Sequence, residues 1–178
     1  MPWEPLPEGR ALIPDKGNTF IDPQIYGGNI SGSTLDSVTI TNATIPWAAW
    51  SPSYANITVG NGAVIARYIQ IGSLVVARFR FALGTTSAIG TAPTISLPVT
   101  ASGTGYGANG PAVGPLTCRD AGTTLHTGGV FIGSSTVFNI FVDNSTGTYG
   151  AMSVISATIP MTWTTTDELS FTATYEAA

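Results

Sequence analysis

The chain has 178 residues, of which 43% are hydrophobic and only 9% charged, with a formal net charge of -4 and six basic residues in all. A nucleic-acid groove needs several Lys or Arg to displace counterions from phosphate, so this balance sets that role aside. A single cysteine, Cys118, excludes an intrachain disulfide and a cysteine-rich metal site within one chain, and reads as a buried inert thiol.

The length suits one domain with a core plus an extension. With 21 glycines, 12 prolines and apolar residues that are mostly Val, Ile, Ala and Phe, the composition favours strands and frequent turns over helices. No positively charged region precedes a long apolar run, and no segment approaches the length of a membrane-spanning helix, so neither a signal peptide nor membrane insertion is expected.

Residues 1–22 contain Pro2, Pro5, Pro7 and Pro14, which disfavour helix, and Trp3, Leu6, Leu12, Ile13 and Phe20, which follow neither a helical nor a strand period. This is the pattern of an extended arm that docks on something larger, its apolar side chains acting as anchors and its prolines limiting the entropy lost.

In residues 23–46, Ile25, Ile30, Leu35, Ile40 and Ile45 recur at a spacing of five, separated almost only by small and polar residues. Five is neither the helical nor the strand period. One inward side chain per short turn gives a thin core: either the chain coils on itself, which is marginal at this length, or several copies wrap together, which is favoured, most simply as a homotrimer.

Residues 47–178 read as globular. Tyr54, Ile57 and Val59 precede Gly60-Asn61-Gly62, a signal for a type I′ hairpin. A strand follows from Val64 to Ile71, a turn at Gly72-Ser73, and the longest strand from Leu74 to Leu83. In that strand Val75, Ala77, Phe79 and Phe81 alternate with Arg78 and Arg80, implying one packed and one wet face. With Arg67, these two arginines form the one local basic grouping, read as solvated strand faces.

The stretch TTSAIGTAPT is expected to be a loop leading to a short strand ended by Pro98, and Thr100 to Pro115 a Gly-rich surface loop around Tyr106 and Asn109. Further strands are expected at Leu116–Arg119, Gly129–Ile132, Val137–Val142, Ser153–Ile155 and Leu169–Tyr175. Seven or eight strands with short turns make a jelly-roll-like antiparallel β-sandwich, with a small closed barrel as the alternative.

The chemistry of catalysis is thin. His126 is the sole histidine, no metal-ligand or Walker-type motif occurs, and GTGYGANG from Gly103 to Gly110 has neither a lysine nor a following helix. Asp120 and Asp143 each sit beside a turn signal that accounts for them, so no carboxylate pair for glycoside hydrolysis stands out. The expectation is a non-enzyme without cofactor or metal. Binding needs less machinery: aromatic and amide side chains in polar loops make Tyr106, Asn109, His126, Tyr149 and Trp163 the ligand-binding candidates.

The segment Trp47 to Val99 resembles a domain found at the ends of virion fibres and minor tail proteins of tailed bacteriophages, especially those infecting actinobacteria. The features are Trp50-Ser51-Pro52, Asn61-Gly62 followed by Ala66-Arg67-Tyr68, Gln70-Ile71-Gly72, Phe79-x-Phe81-x-Leu83-Gly84 and Ile95-Ser96-Leu97-Pro98. They cover about a third of the chain. The resemblance implies a homotrimeric virion protein: 1–22 an attachment arm, 23–46 a short intertwined β shaft, and 47–178 an exposed head contacting the host surface, with a cell-surface glycan as a candidate ligand. The implied location is the virion surface after assembly in the host cytoplasm. Two placements stay open, a short tail fibre or minor tail protein and a capsid decoration fibre held by the major capsid protein. A cell-wall polysaccharide hydrolase in the tail is the reading from another class, and a free-standing lectin-like module is a further one.

Overall fold

A computed structural model describes residues 45–104, 106, 110–144 and 150–178. All of these belong to the unit Thr44–Ala178. The expected arm, and the expected shaft except for Ile45 and Pro46, lie outside the described residues.

The described residues form ten strands: β1 (Ala48–Ala49), β2 (Tyr54–Thr58), β3 (Ala63–Ile71), β4 (Leu74–Ala82), β5 (Ala88–Ser96), β6 (Ala112–Asp120), β7 (Thr124–Ser134), β8 (Val137–Asn144), β9 (Ala151–Val154) and β10 (Glu168–Glu176). The expected all-β class is observed. The strands make one sheet in the order β1-β3-β4-β10-β6-β7-β8-β5-β2, with β9 added on β8, and all the pairings are antiparallel.

That sheet curls into a half-barrel. Six strand spacings separate β4 from β2 in the sheet order, which would be about 29 Å if the sheet were flat. Yet the rings of Phe79 on β4 and Tyr54 on β2 lie 6.3 Å apart. Likewise Phe138 on β8 meets Phe171 on β10 at 5.3 Å across three spacings. The core therefore sits in the concavity, between the two halves of the curled sheet.

Strand alternation decides what enters it. Val75, Ala77, Phe79 and Phe81 of β4 and Leu169, Phe171, Ala173 and Tyr175 of β10 are all buried, as the period of two requires. Phe138 packs edge-on against Trp50, Phe171 and Tyr175, a favoured geometry for aromatic pairs. Burial pushes the Tyr175 hydroxyl up to about 12, and it donates to the Val99 carbonyl at 2.7 Å. The single buried charged residue among those described is Asp167. Its Oδ1 accepts from the Ala121 N–H at 2.9 Å, and its Oδ2 from the N–H and hydroxyl of Thr164 at 2.6 and 3.1 Å. This carboxylate locks the β6–β7 turn to the entry of β10.

Two local expectations are corrected. Gly60-Asn61-Gly62 does not close a hairpin: β2 pairs with β5, while β3 pairs with β4 at the other side of the sheet. Only Gly60 in this turn has a positive φ, 54°, whereas a type I′ turn needs two such residues. Asn61 is spent instead on the β4–β5 connection: its side-chain carbonyl accepts from the Thr86 N–H at 2.9 Å, its side-chain amide donates to the Thr85 hydroxyl at 3.0 Å, and its backbone N–H donates to the Thr86 hydroxyl at 2.9 Å. The second correction concerns TTSAIGTAPT, most of which is strand β5. Its small residues hid a strand that buries Ile89 and Ile95 and is bulged opposite Asn56, whose amide donates to the Thr91 carbonyl at 2.8 Å.

Candidate functional site

The β3–β4 hairpin turns on Gly72-Ser73, with Gly72 at a φ of 58°. This two-residue turn fixes the register so that Arg67 lies directly opposite Arg78, and Ile65 opposite Arg80. β10 continues both rows, with Thr172 beside Arg78 and Ser170 beside Arg80, and Thr117 of β6 extends the second row. Because Phe79 and Phe171 point into the core, these neighbours point out.

Trp47, just before β1, borders the same outer surface, and with Ile65, the three arginines, Pro115, Thr117, Ser170 and Thr172 it lines an open groove of about 550 Å³. Trp47 is 40% exposed and Ile65 52%. The groove thus has apolar walls, a floor of hydroxyls and a cationic strip.

All four arginines of the described residues stand on this outer face, and they divide into two kinds. Arg80 and Arg119 both pair with the carboxylate of Glu168, Arg119 at 2.6 Å. The hydrogen bond from Arg80, followed by that from Arg119 and both positive charges, outweighs burial and holds Glu168 down at about 2. The same contact raises Arg80 above its ordinary value. Arg67 and Arg78 have no hydrogen-bond or ion-pair partner among the described residues. The carboxylates on the same strand face, Glu168 and Glu176, each lie four residues from Thr172. That is about 13 Å along the backbone, beyond the screening length of roughly 8 Å in physiological salt. Like charges directly opposite on paired strands are destabilising. Among the described residues, no carboxylate therefore pairs with the two positive charges of Arg67 and Arg78.

The candidates expected from sequence fall elsewhere, and the fold does not bring them together. The Tyr106 hydroxyl accepts from the Glu176 N–H at 3.0 Å while its ring packs against the core. Trp163 also packs on the core and donates its indole N–H to the Ser156 carbonyl at 2.9 Å. His126 lines a second, smaller groove with Asp143, Asn144, Ser153, Ile159 and Pro160, where its Nε2 is buried without a hydrogen-bond partner among the described residues. Asn109 and Tyr149 lie outside the described residues. Asp120 and Asp143 each accept a hydrogen bond from a nearby threonine, Thr123 at 2.8 Å and Thr127 at 2.6 Å. No three His, Cys, Asp or Glu side chains cluster as a metal site among the described residues.

No family model, no curated protein sequence and no solved structure matches this chain.

The groove was missed because the grouping of Arg67, Arg78 and Arg80 reads from sequence as solvated strand faces. The signal was nevertheless present: the two-residue turn at Gly72-Ser73 fixes which residues face each other, and two arginines fall in one pair. Trp47 gave no such signal, since its place at the groove depends on β1 joining the edge of β3.

Proposed function

We propose that the chain is a non-enzymatic structural protein of a tailed-phage virion, a short homotrimeric tail fibre or minor tail protein whose head contacts the host surface. The observation that carries this reading is the five-residue recurrence from Ile25 to Ile45, whose last member runs through Trp47 directly into β1. A coil with one apolar residue in five gains its core only by sharing it between chains. In this reading the two halves of the curled sheet act as the layers of a jelly-roll-like head. The intertwined shaft precedes it, and the arm 1–22 anchors the whole to the virion through Trp3, Leu6, Leu12, Ile13 and Phe20.

The outer face supports association as well. Ile71 and Leu74, opposite each other at the hairpin end, are 53% and 47% exposed, where an outward strand face in water is usually polar.

The test is the solution mass of the full chain by light scattering, compared with the double variant Leu35→Asp, Ile40→Asp. A mass of three chains that falls in the variant is expected, because charges would be placed on the shared axis. An unchanged mass would refute the shared shaft. Removing residues 1–22 should in turn abolish incorporation into virions.

A further inference from the structure

We propose that the groove beside Trp47 binds an acidic saccharide, a sugar chain bearing carboxylate or phosphate groups. Arg67 and Arg78 hold the anion, and the indole of Trp47 covers a ring. The site itself stands on the geometry of the face; only its assignment to a host surface rests on the function proposed above.

Two guanidinium groups face each other across β3 and β4 with no carboxylate partner among the described residues, while the neighbouring Arg80 and Arg119 share one. The face therefore contains the means of neutralising arginine and does not apply it at this pair. A bound anion would relieve the repulsion, and the planar donor fork of arginine suits carboxylate and phosphate oxygens.

A free inorganic anion needs neither an aromatic wall nor a groove of about 550 Å³, a volume in the range of small-molecule sites. Trp47 and Ile65 offer exposed apolar surface for the carbon face of a sugar ring. Thr117, Ser170 and Thr172 supply hydroxyls that both donate and accept, as a polyol requires.

Other occupants fit less well. A nucleic acid would meet two uncompensated cations, too few for a phosphate-tracking surface. A second copy's described unit has little to offer either. Asp167 is buried, Glu168 is paired, and Asp120 and Asp143 are held by threonines, leaving the Glu176 carboxylate.

The experiment is calorimetric titration of the full chain with trigalacturonate, with maltotriose as the neutral sugar and with inorganic phosphate, at low and high salt. Trigalacturonate should bind at least roughly tenfold more tightly than either control, and more weakly in high salt. Arg67→Gln and Arg78→Gln should each weaken it by roughly tenfold or more, the size of a lost charge-assisted hydrogen bond. Neither should lower the melting temperature, because each removes a like-charge contact. Trp47→Ala should weaken the saccharide without affecting phosphate.

No binding of trigalacturonate, equal binding of maltotriose, equal binding of phosphate alone, or unchanged affinity in the arginine variants would each overturn the proposal. If the arginine variants instead alter the mass by light scattering and no saccharide binds, the face is a contact between copies and the site is refuted. A trimer that binds no acidic saccharide leaves the fibre reading standing, whereas a monomer that binds it removes that reading and keeps the site.

Discussion

Replacing Asp167 with Asn tests whether the carboxylate that ties the β6–β7 turn to β10 acts as a two-sided acceptor. Each carboxylate oxygen faces a backbone N–H, from Ala121 on one side and Thr164 on the other. An Asn has one carbonyl oxygen, so whichever way its amide is turned, an NH₂ group meets a backbone donor. The better orientation keeps the carbonyl toward Thr164, where it takes two donors, and sacrifices the bond to Ala121. Losing one charge-assisted hydrogen bond costs about 1.5–3 kcal/mol, and the surviving bonds weaken because the acceptor is now neutral. The expected loss is therefore about 2–3 kcal/mol, or a melting temperature lower by roughly 6–10 °C for a chain of this size. Urea unfolding followed by tryptophan fluorescence, at one fixed protein concentration, should show a lower midpoint with an unchanged slope. A loss below about 0.5 kcal/mol, the range of ordinary surface substitutions, would refute the reasoning and make Asp167 a replaceable buried residue.

Two further predictions concern titration and reactivity. Glu168 is held down at about 2 by Arg80 and Arg119, so its ion pairs contribute stability that is full above its ordinary value of 4.5 and is lost as pH falls toward 2. The urea midpoint should therefore drop across that window, and Glu168→Gln should flatten the drop; an equally steep profile in the variant would contradict the assignment. Cys118 is fully buried on β6, and burial pushes its thiol up to about 12. Iodoacetamide at pH 8 should leave the folded protein unmodified and label it only in denaturant; rapid labelling without denaturant would overturn this.

Much of the strand content was legible because burial imposes a period of two wherever a strand separates core from water. Val75, Ala77, Phe79 and Phe81 against Arg78 and Arg80 could be assigned to opposite faces from spacing alone, and the structure buries the first four. Short-range pairing was legible for the same local reason, since Gly72 supplies the positive φ that a two-residue turn requires. β5 was not, because Gly90, Thr91 and Ala92 carry no apolar alternation, and the strand exists through its partners on β2 and β8.

The sequence by itself determined the β class, the packed and wet faces of β4, the β3–β4 hairpin and, through its register, the opposition of Arg67 and Arg78. Only the tertiary structure decided that β2 leaves its chain neighbour for β5, that Tyr54 returns to Phe79, and that Glu168 pairs with Arg80 and Arg119 rather than with Arg67 or Arg78. The physical reason is range. Alternation and turn geometry act over a few residues and leave their pattern in the local sequence. The curl of a sheet and the meeting of Arg80, Arg119 and Glu168 depend on strands far apart in the chain, whose order no local pattern encodes.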